Sequence, residues 1–271
     1  MIHYIIASFS GKTDSRKHLP ESEKVLAIQL DTLRKIFSEK KYQNIRNLIS
    51  QITIVVPTCK IESYKDYYDT SINEIEGIPI QYLTYVGSNK DHSYDQWLQG
   101  IMYNKDAFSY YLLIEDDYCI DTSNLYFDKE LVDIYNASFK DKKNIGYLST
   151  LVLENPFKHA AISNGIISKE TVDYIHLRTG HTILDEYYTL SGYPQLKFSQ
   201  LFNDMEVCHS DLKGHYCIYF WDTPSQKIID FSTEKDCTKL SFIPCQYIYN
   251  TSYSTVSAKI LYENIKNNIY I

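Results

Sequence analysis

The run Tyr110-Tyr111-Leu112-Leu113-Ile114-Glu115-Asp116-Asp117-Tyr118 ends an apolar, strand-like segment in three consecutive carboxylates. Side chains alternate faces along a strand, so Glu115 and Asp117 are expected to point one way and Asp116 the other. Two like charges a few ångströms apart repel unless something positive stands between them. A hard divalent cation held by carboxylate oxygens removes that repulsion. In open α/β folds ligands gather just beyond the carboxyl ends of strands, which is where these acids would stand. Turns more often use Gly, Asn and Pro than three acids in a row, so a merely solvated turn explains the triplet less well. The chemistry expected is a cation that bridges the chain to an anionic ligand.

Such a strand end needs a sheet around it, and the flanking sequence supplies one. His3 to Phe9 reads as a short buried strand broken at Ser10-Gly11-Lys12. From Glu21 to Glu39, Val25, Leu26, Ile28, Leu30, Leu33, Ile36 and Phe37 recur at three- and four-residue steps, the period of a helix with one buried face. Ile52-Thr53-Ile54-Val55-Val56 is a β-branched run stopped by Pro57, which completes a βαβ unit. Ile78 to Val86 reads as a further strand, and Ser93 as the cap of a helix containing Trp97, Leu98, Ile101 and Met102. After the acidic strand come a helix over Lys129 to Phe139 and a strand over Ile145 to Leu153. Ala160 to Ile167 is an apolar segment interrupted by Ser163-Asn164-Gly165, and Ser168 caps the next helix. Tyr187 to Pro194 reads as loop and Gln195 to Phe202 as a short helix. Tyr216 to Trp221, Ile228 to Phe231 and Leu240 to Ile243 read as short strands. Alternating strands and helices predict a mostly parallel sheet covered on both faces.

Composition bounds the partners. The net charge is −7, and no Lys/Arg run is long enough to track a nucleic-acid backbone, so no nucleic-acid partner is expected. The 6 cysteines show no C-x-x-C spacing, which argues against a zinc or thioredoxin-like motif and fits a reducing cytoplasm. Met1 to Ala7 enters an apolar run without a basic leader, and no window reaches the ~20 apolar residues of a spanning helix. No transmembrane segment is therefore expected. The 26 tyrosines beside 2 tryptophans suggest an AT-rich coding sequence rather than a mechanism. Trp97 and Trp221 read as packing rather than as sugar platforms.

The order strand, helix, strand, then an acid-tipped strand and a mixed second half resembles the nucleotide-sugar glycosyltransferases of the GT-A fold. Glu115-Asp116-Asp117 stands where their D-x-D motif does, in an E-D-D form. The resemblance covers residues 1 to about 220 as a layout and is specific around Leu112 to Tyr118. It implies an α/β fold of GT-A type, with a mostly parallel central sheet flanked by helices and a mixed C-terminal part. The chain is read as a single domain over residues 1–271, with 1–125 the donor-binding half and 126–271 the acceptor side.

The activity implied is transfer of a sugar from a nucleotide diphosphate sugar, in such families usually a UDP-sugar, to a glycan or other acceptor hydroxyl. Mn2+ or Mg2+ would bridge the diphosphate and the acidic motif and act as a Lewis acid for the leaving group. By position Asp117 is the expected direct metal ligand. Glu115 is expected at the metal or, with Asp116, at the ribose or metal-bound water. Ala7, Ser8, Phe9 and Ser10 would cradle base and ribose, Arg16 would reach the diphosphate or base, and Ser88 to His92 would add donor contacts. A late histidine would complete the metal site. His215 is preferred over His209 because Lys213-Gly214-His215 leads into the Tyr216–Trp221 strand, and imidazole with two carboxylates suits Mn2+.

For an inverting transfer one carboxylate must accept the proton of the attacking hydroxyl. Asp185 and Glu186 are the expected base, with Asp204, Glu206 and Asp211 behind them. The comparable helix begins Pro194-Gln195-Leu196-Lys197, without the acidic pair the family often places there. That departure supports one alternative, a non-catalytic nucleotide-sugar-binding domain. Ser10-Gly11-Lys12, a thin phosphate-loop signal after strand one, supports another, a metal-dependent nucleotidyltransferase.

Overall fold

The computed structural model describes residues 1–9, 25–39, 48–58, 69–87, 90–116, 118–120, 126–153, 157–204, 208–211, 219–222, 227–230 and 242–244. Within them the chain runs β1 (Ile2–Ala7), α1 (Val25–Ser38), β2 (Ile49–Pro57), β3 (Glu74–Ile75), β4 (Ile78–Tyr85), α2 (His92–Tyr103), β5 (Tyr110–Glu115) and β6 (Tyr118–Ile120). It continues through α3 (Phe127–Phe139), β7 (Gly146–Leu153), β8 (His159–Ser168), α4 (Lys169–Thr179), α5 (Ile183–Thr189) and α6 (Pro194–Asp204). The short strands β9 (Cys208–Asp211), β10 (Tyr219–Asp222), β11 (Lys227–Asp230) and β12 (Phe242–Pro244) follow.

Eight of these strands form one sheet in the order β3-β4-β2-β1-β5-β8-β7-β9. β4, β2, β1 and β5 are mutually parallel, as expected of the βαβ half. β8 runs antiparallel to both β5 and β7, and β9 pairs parallel with β7. The sheet is thus parallel on the β1 side and mixed beyond β5.

Period-two alternation divides the sheet between two apolar layers. Tyr4, Ile6, Leu112 and Ile114 pack with Leu26, Leu30, Leu33, Ile36 and Phe37 of α1 and with Leu131 and Tyr135 of α3. Ile5, Ala7, Tyr111 and Leu113 face the other way, against Trp97, Leu98 and Ile101 of α2, Ile175 of α4, Tyr187 of α5 and Phe198 of α6. Trp97 is therefore a core residue, as expected, and its indole N–H donates to the Ile114 carbonyl at 3.1 Å.

Three expectations need correction. Ser163-Asn164-Gly165 does not interrupt the apolar segment: all three lie within β8. Gly165 suits the ladder because a Cβ there would lie 2.2 Å from the Leu148 carbonyl oxygen and 2.8 Å from Ser149 Cα. Residues read as loop from Tyr187 fall partly in α5, which puts Asp185 and Glu186 on a helix. A capping box, in which the Thr182 hydroxyl and the Asp185 carboxylate each bond the other's backbone N–H, starts that short helix. Finally, Ser93 does not cap α2. The helix begins one residue earlier, and the Asp91 side chain makes no capping bond.

Candidate functional site

From β1 the chain builds outward through β2 to β4, then returns to lay β5 on the other flank of β1. The strand order reverses between β1 and β5, and a crevice at such a switch point, beyond the strand carboxyl ends, is where α/β sheets bind ligands. Ala7 pairs with Glu115 in the last rung of that parallel ladder. The acidic motif and the end of β1, separate expectations from sequence, thus meet at one place.

Asp116 is 1% exposed. A buried carboxylate is tolerable only when its oxygens are hydrogen-bonded. Its Oδ2 accepts from the Ser8 hydroxyl at 2.6 Å and from the Phe9 N–H at 3.3 Å. Its own N–H donates to the Ala7 carbonyl at 3.0 Å. Asp116 therefore ties β5 to the residues leaving β1 and fixes the conformation of Ser8 and Phe9. From the other side, the Gln96 amide of α2 donates to the Ser8 carbonyl at 2.5 Å and to the Val55 carbonyl at 2.9 Å.

Glu115 points toward α2, as strand alternation requires, and its Oε1 accepts from the Ser93 hydroxyl at 2.7 Å. The first turn of a helix favours negative charge, so the α2 terminus supports this carboxylate. The Glu115 N–H donates to Asn164 Oδ1 at 3.0 Å, which extends the hold to β8. On the α1 side the Gln29 amide donates to the Glu115 carbonyl at 2.8 Å and to the Tyr118 carbonyl as well.

The α2 terminus is itself pinned by the second half of the chain. Lys197 of α6, 8% exposed, places Nζ 3.3 Å from Asp91 Oδ1 and 3.8 Å from the centroid of the Tyr187 ring. The Tyr187 hydroxyl also donates to Asp91 at 3.3 Å, and that of Tyr188 donates to Asp95. Burial first, and the neighbouring aspartates second, push both phenols above their ordinary value, which keeps them as hydrogen-bond donors. His92, between Asp91 and Ser93, holds φ at 51°, a left-handed conformation that costs a non-glycine residue roughly 1–2 kcal/mol.

Of the expected donor-site residues, Ala7, Ser8, Phe9, Glu115 and Asp116 converge at this edge. Ser10, Arg16, Asp117 and His215 lie outside the described residues, as do Ser88, Asn89 and Glu206. His209 and Asp211 lie on β9, but their side chains lie outside the description. Asp204 ends α6 and accepts from Gln200.

Asp185 and Glu186 make local contacts. Asp185 Oδ2 accepts from the Thr182 hydroxyl at 2.7 Å and from the Thr182 N–H at 3.3 Å, and these bonds hold its carboxyl below the ordinary value. Glu186 Oε2 lies 3.2 Å from His181 Nδ1. A carboxylate so stabilised is a weaker proton acceptor.

Among the described residues no three His, Cys, Asp or Glu side chains gather as a ligand set for a metal ion. The donors at the β5 end are carboxylate and hydroxyl oxygens, a chemistry that fits Mg2+ or Mn2+ rather than a thiophilic metal. Among the described residues no helix is long and apolar enough to cross a membrane.

Sequence reading missed Gln29, Gln96 and Asn164. The one available signal was Gln29 itself, a polar residue in the apolar stripe of α1 between Leu26 and Leu33.

No family model and no curated protein matches the chain. Among solved structures it is similar to a protein assigned as a glucose-1-phosphate thymidylyltransferase from Bacillus anthracis, in complex with a sucrose. The identity is 12% and the TM-score 0.41, over 78% of this chain and 87% of that one. It is also similar to a protein assigned as a nucleotide-diphospho-sugar transferase from Desulfovibrio desulfuricans G20, at 10% identity and a TM-score of 0.35, over 99% of this chain and 96% of that one. Scores below 0.5 at such identities leave the sheet edge itself as the ground for function.

Proposed function

We propose that the chain is a metal-dependent glycosyltransferase that moves a sugar from a nucleotide diphosphate sugar, a UDP-sugar by preference, to an acceptor hydroxyl of a glycan. One observation carries this reading: Asp116 is buried in the β1–β5 switch point and bonded to Ser8 and Phe9, so the end of the acid-tipped strand and the end of β1 form a single edge. A solvated turn would leave its acids in water and unpartnered. Here one acid braces the edge while Glu115, on the α2 side, is held at a helix terminus.

In this reading Ala7, Ser8, Phe9 and Ser10 line the nucleoside, with Arg16 toward the diphosphate. Asp117, Glu115 and His215 hold Mn2+ or Mg2+. The cation supplies charge neutralisation for the departing nucleoside diphosphate. Asp185 or Glu186 accepts the proton of the acceptor hydroxyl in an inverting transfer.

The test is turnover of UDP-sugars, screened by product mass with and without Mn2+. Release of UDP that requires the cation is expected, as slow hydrolysis without acceptor and as transfer with it. Binding of UDP without any turnover across the screen would instead favour a non-catalytic binding domain.

A nucleotidyltransferase is favoured by one feature, the Gly11-Lys12 pair directly after strand one. It predicts release of pyrophosphate from a nucleoside triphosphate and a sugar phosphate, which a glycosyltransferase does not perform.

A further inference from the structure

Asp91 stands directly before α2, where an aspartate ordinarily accepts from an N–H of the first helical turn, yet its side chain makes no such bond. Its Oδ1 instead receives Lys197 Nζ of α6 and the Tyr187 hydroxyl of α5, each at 3.3 Å. Asp95, in the first turn, likewise accepts from the Tyr188 hydroxyl of α5. Both acids at the start of α2 are thus turned to the second half of the chain. Lys197 is the unusual member. It is 8% exposed, and its neighbours Phe198, Leu201 and Phe202 on α6 are core residues. Burying an ammonium costs about as much as its ion pair returns, and an apolar residue of like length would avoid that cost. What the lysine contributes is therefore placement more than stability.

The placed segment is Asp91-His92-Ser93. Lys197 holds its first residue, and the hydroxyl of its last donates to Glu115 Oε1 at 2.7 Å. His92 between them keeps φ at 51°, a conformation that persists only where the surroundings impose it. One turn on, the Gln96 amide bonds the Ser8 carbonyl, so the same end of α2 meets both β1 and β5. Resting on the glycosyltransferase reading, which sets Glu115 at the donor, we propose that Lys197 is a positioning residue of the donor site. It fixes Asp91, and through the three-residue segment it fixes the Ser93 hydroxyl that orients the Glu115 carboxylate. Lys197 touches no substrate. It makes the acceptor half of the chain set the geometry of the donor edge.

The discriminating variant is Lys197→Met, which keeps the length of the side chain and removes the charge. Asp91, its side chain 21% exposed, then stays in reach of water and of the Tyr187 hydroxyl. UDP binding in the presence of Mn2+ is measured by calorimetry on the full chain, for wild type, Lys197→Met, Ser93→Ala and the double variant, with thermal melting in parallel. The expected Lys197→Met protein melts near wild type or above it and binds UDP about tenfold more weakly. A residue that acts through Ser93 has nothing left to act through in Ser93→Ala, so the double variant should bind within about twofold of Ser93→Ala. Should Lys197→Met not fold, Asp91→Asn/Lys197→Met, which leaves neither charge buried without its partner, takes its place in both comparisons. A UDP affinity unchanged by the substitution overturns the proposal, whatever the melting temperature does. So do losses that multiply in the double variant, which would mean that Lys197 acts apart from Ser93. Wild type that binds no UDP would remove the glycosyltransferase reading and this inference together, whereas wild-type binding with either contrary result removes this inference and leaves that reading standing.

Discussion

Asp116 and Glu115 adjoin in sequence yet do different work, and the difference fixes what each substitution should do. Asp116 is buried against Ser8, so Ser8→Ala strips one bond from a buried carboxylate and should cost about 1–3 kcal/mol in urea unfolding at unchanged slope. Glu115 answers to Ser93 at the α2 terminus. Ser93→Ala should therefore change stability by about 1 kcal/mol or less while weakening Mn2+-dependent UDP binding about tenfold, read by calorimetry. Asp185 is a different kind of acid. The Thr182 hydroxyl and then the Thr182 N–H hold its carboxyl below the ordinary 3.8. A carboxyl with a depressed folded value stabilises fully above its unfolded value and loses that contribution as pH falls through the folded one. The melting-temperature gap between wild type and Asp185→Asn should accordingly be open at neutral pH and close as pH falls below about 4. A gap that persists in acid would mean that the carboxylate is not what caps α5.

At the scale of elements, what the sequence made legible followed burial. Apart from His3 in β1 and Ser50, Gln51 and Thr53 in β2, the strands β1, β2 and β5 are apolar runs, and α1 carries a stripe at helical spacing, so tertiary structure and local pattern agree. Ser163-Asn164-Gly165 misled because small polar residues signal turns. In β8 they instead admit the close β7 backbone and place Asn164 beside Glu115. Gly165→Ala should then be destabilising by about 1–3 kcal/mol, because its Cβ must displace backbone rather than a flexible side chain. Chemical unfolding measures this, and a neutral substitution would contradict the close approach. α5 was hidden because its buried face amounts to little more than Ile183 and Tyr187 within seven residues. Its start signal, Thr182 three residues before Asp185, was nevertheless present. Gln29, Gln96 and Asn164 bind backbone carbonyls and an N–H across the sheet, and such partners leave no periodic trace in the sequence.

For the whole molecule, the edge opposite the site holds a group that reports on folding. His3, at the start of β1, is fully buried, stacks on Phe108 at 4.6 Å between ring centroids and bonds Thr53 at 2.7 Å. Burial pushes its pKa down from 6.5 to about 3. Between those values the unfolded chain takes up a proton that the folded chain refuses, so stability falls as pH falls, by up to about 1.4 kcal/mol per unit for this group. His3→Gln should flatten that part of the stability profile relative to wild type. A slope unchanged by the substitution would assign the acid sensitivity elsewhere. At the other edge the central claim is that the β1–β5 switch point binds a nucleoside diphosphate through a cation held by the acidic motif. Calorimetric titration of UDP into wild type and Asp117→Ala, each with Mn2+ and again with EDTA, tests it most directly. Saturable binding by wild type with Mn2+, lost with EDTA and lost in Asp117→Ala, is the predicted result. UDP that binds equally well in EDTA, or that fails to bind wild type with Mn2+ present, would contradict the claim.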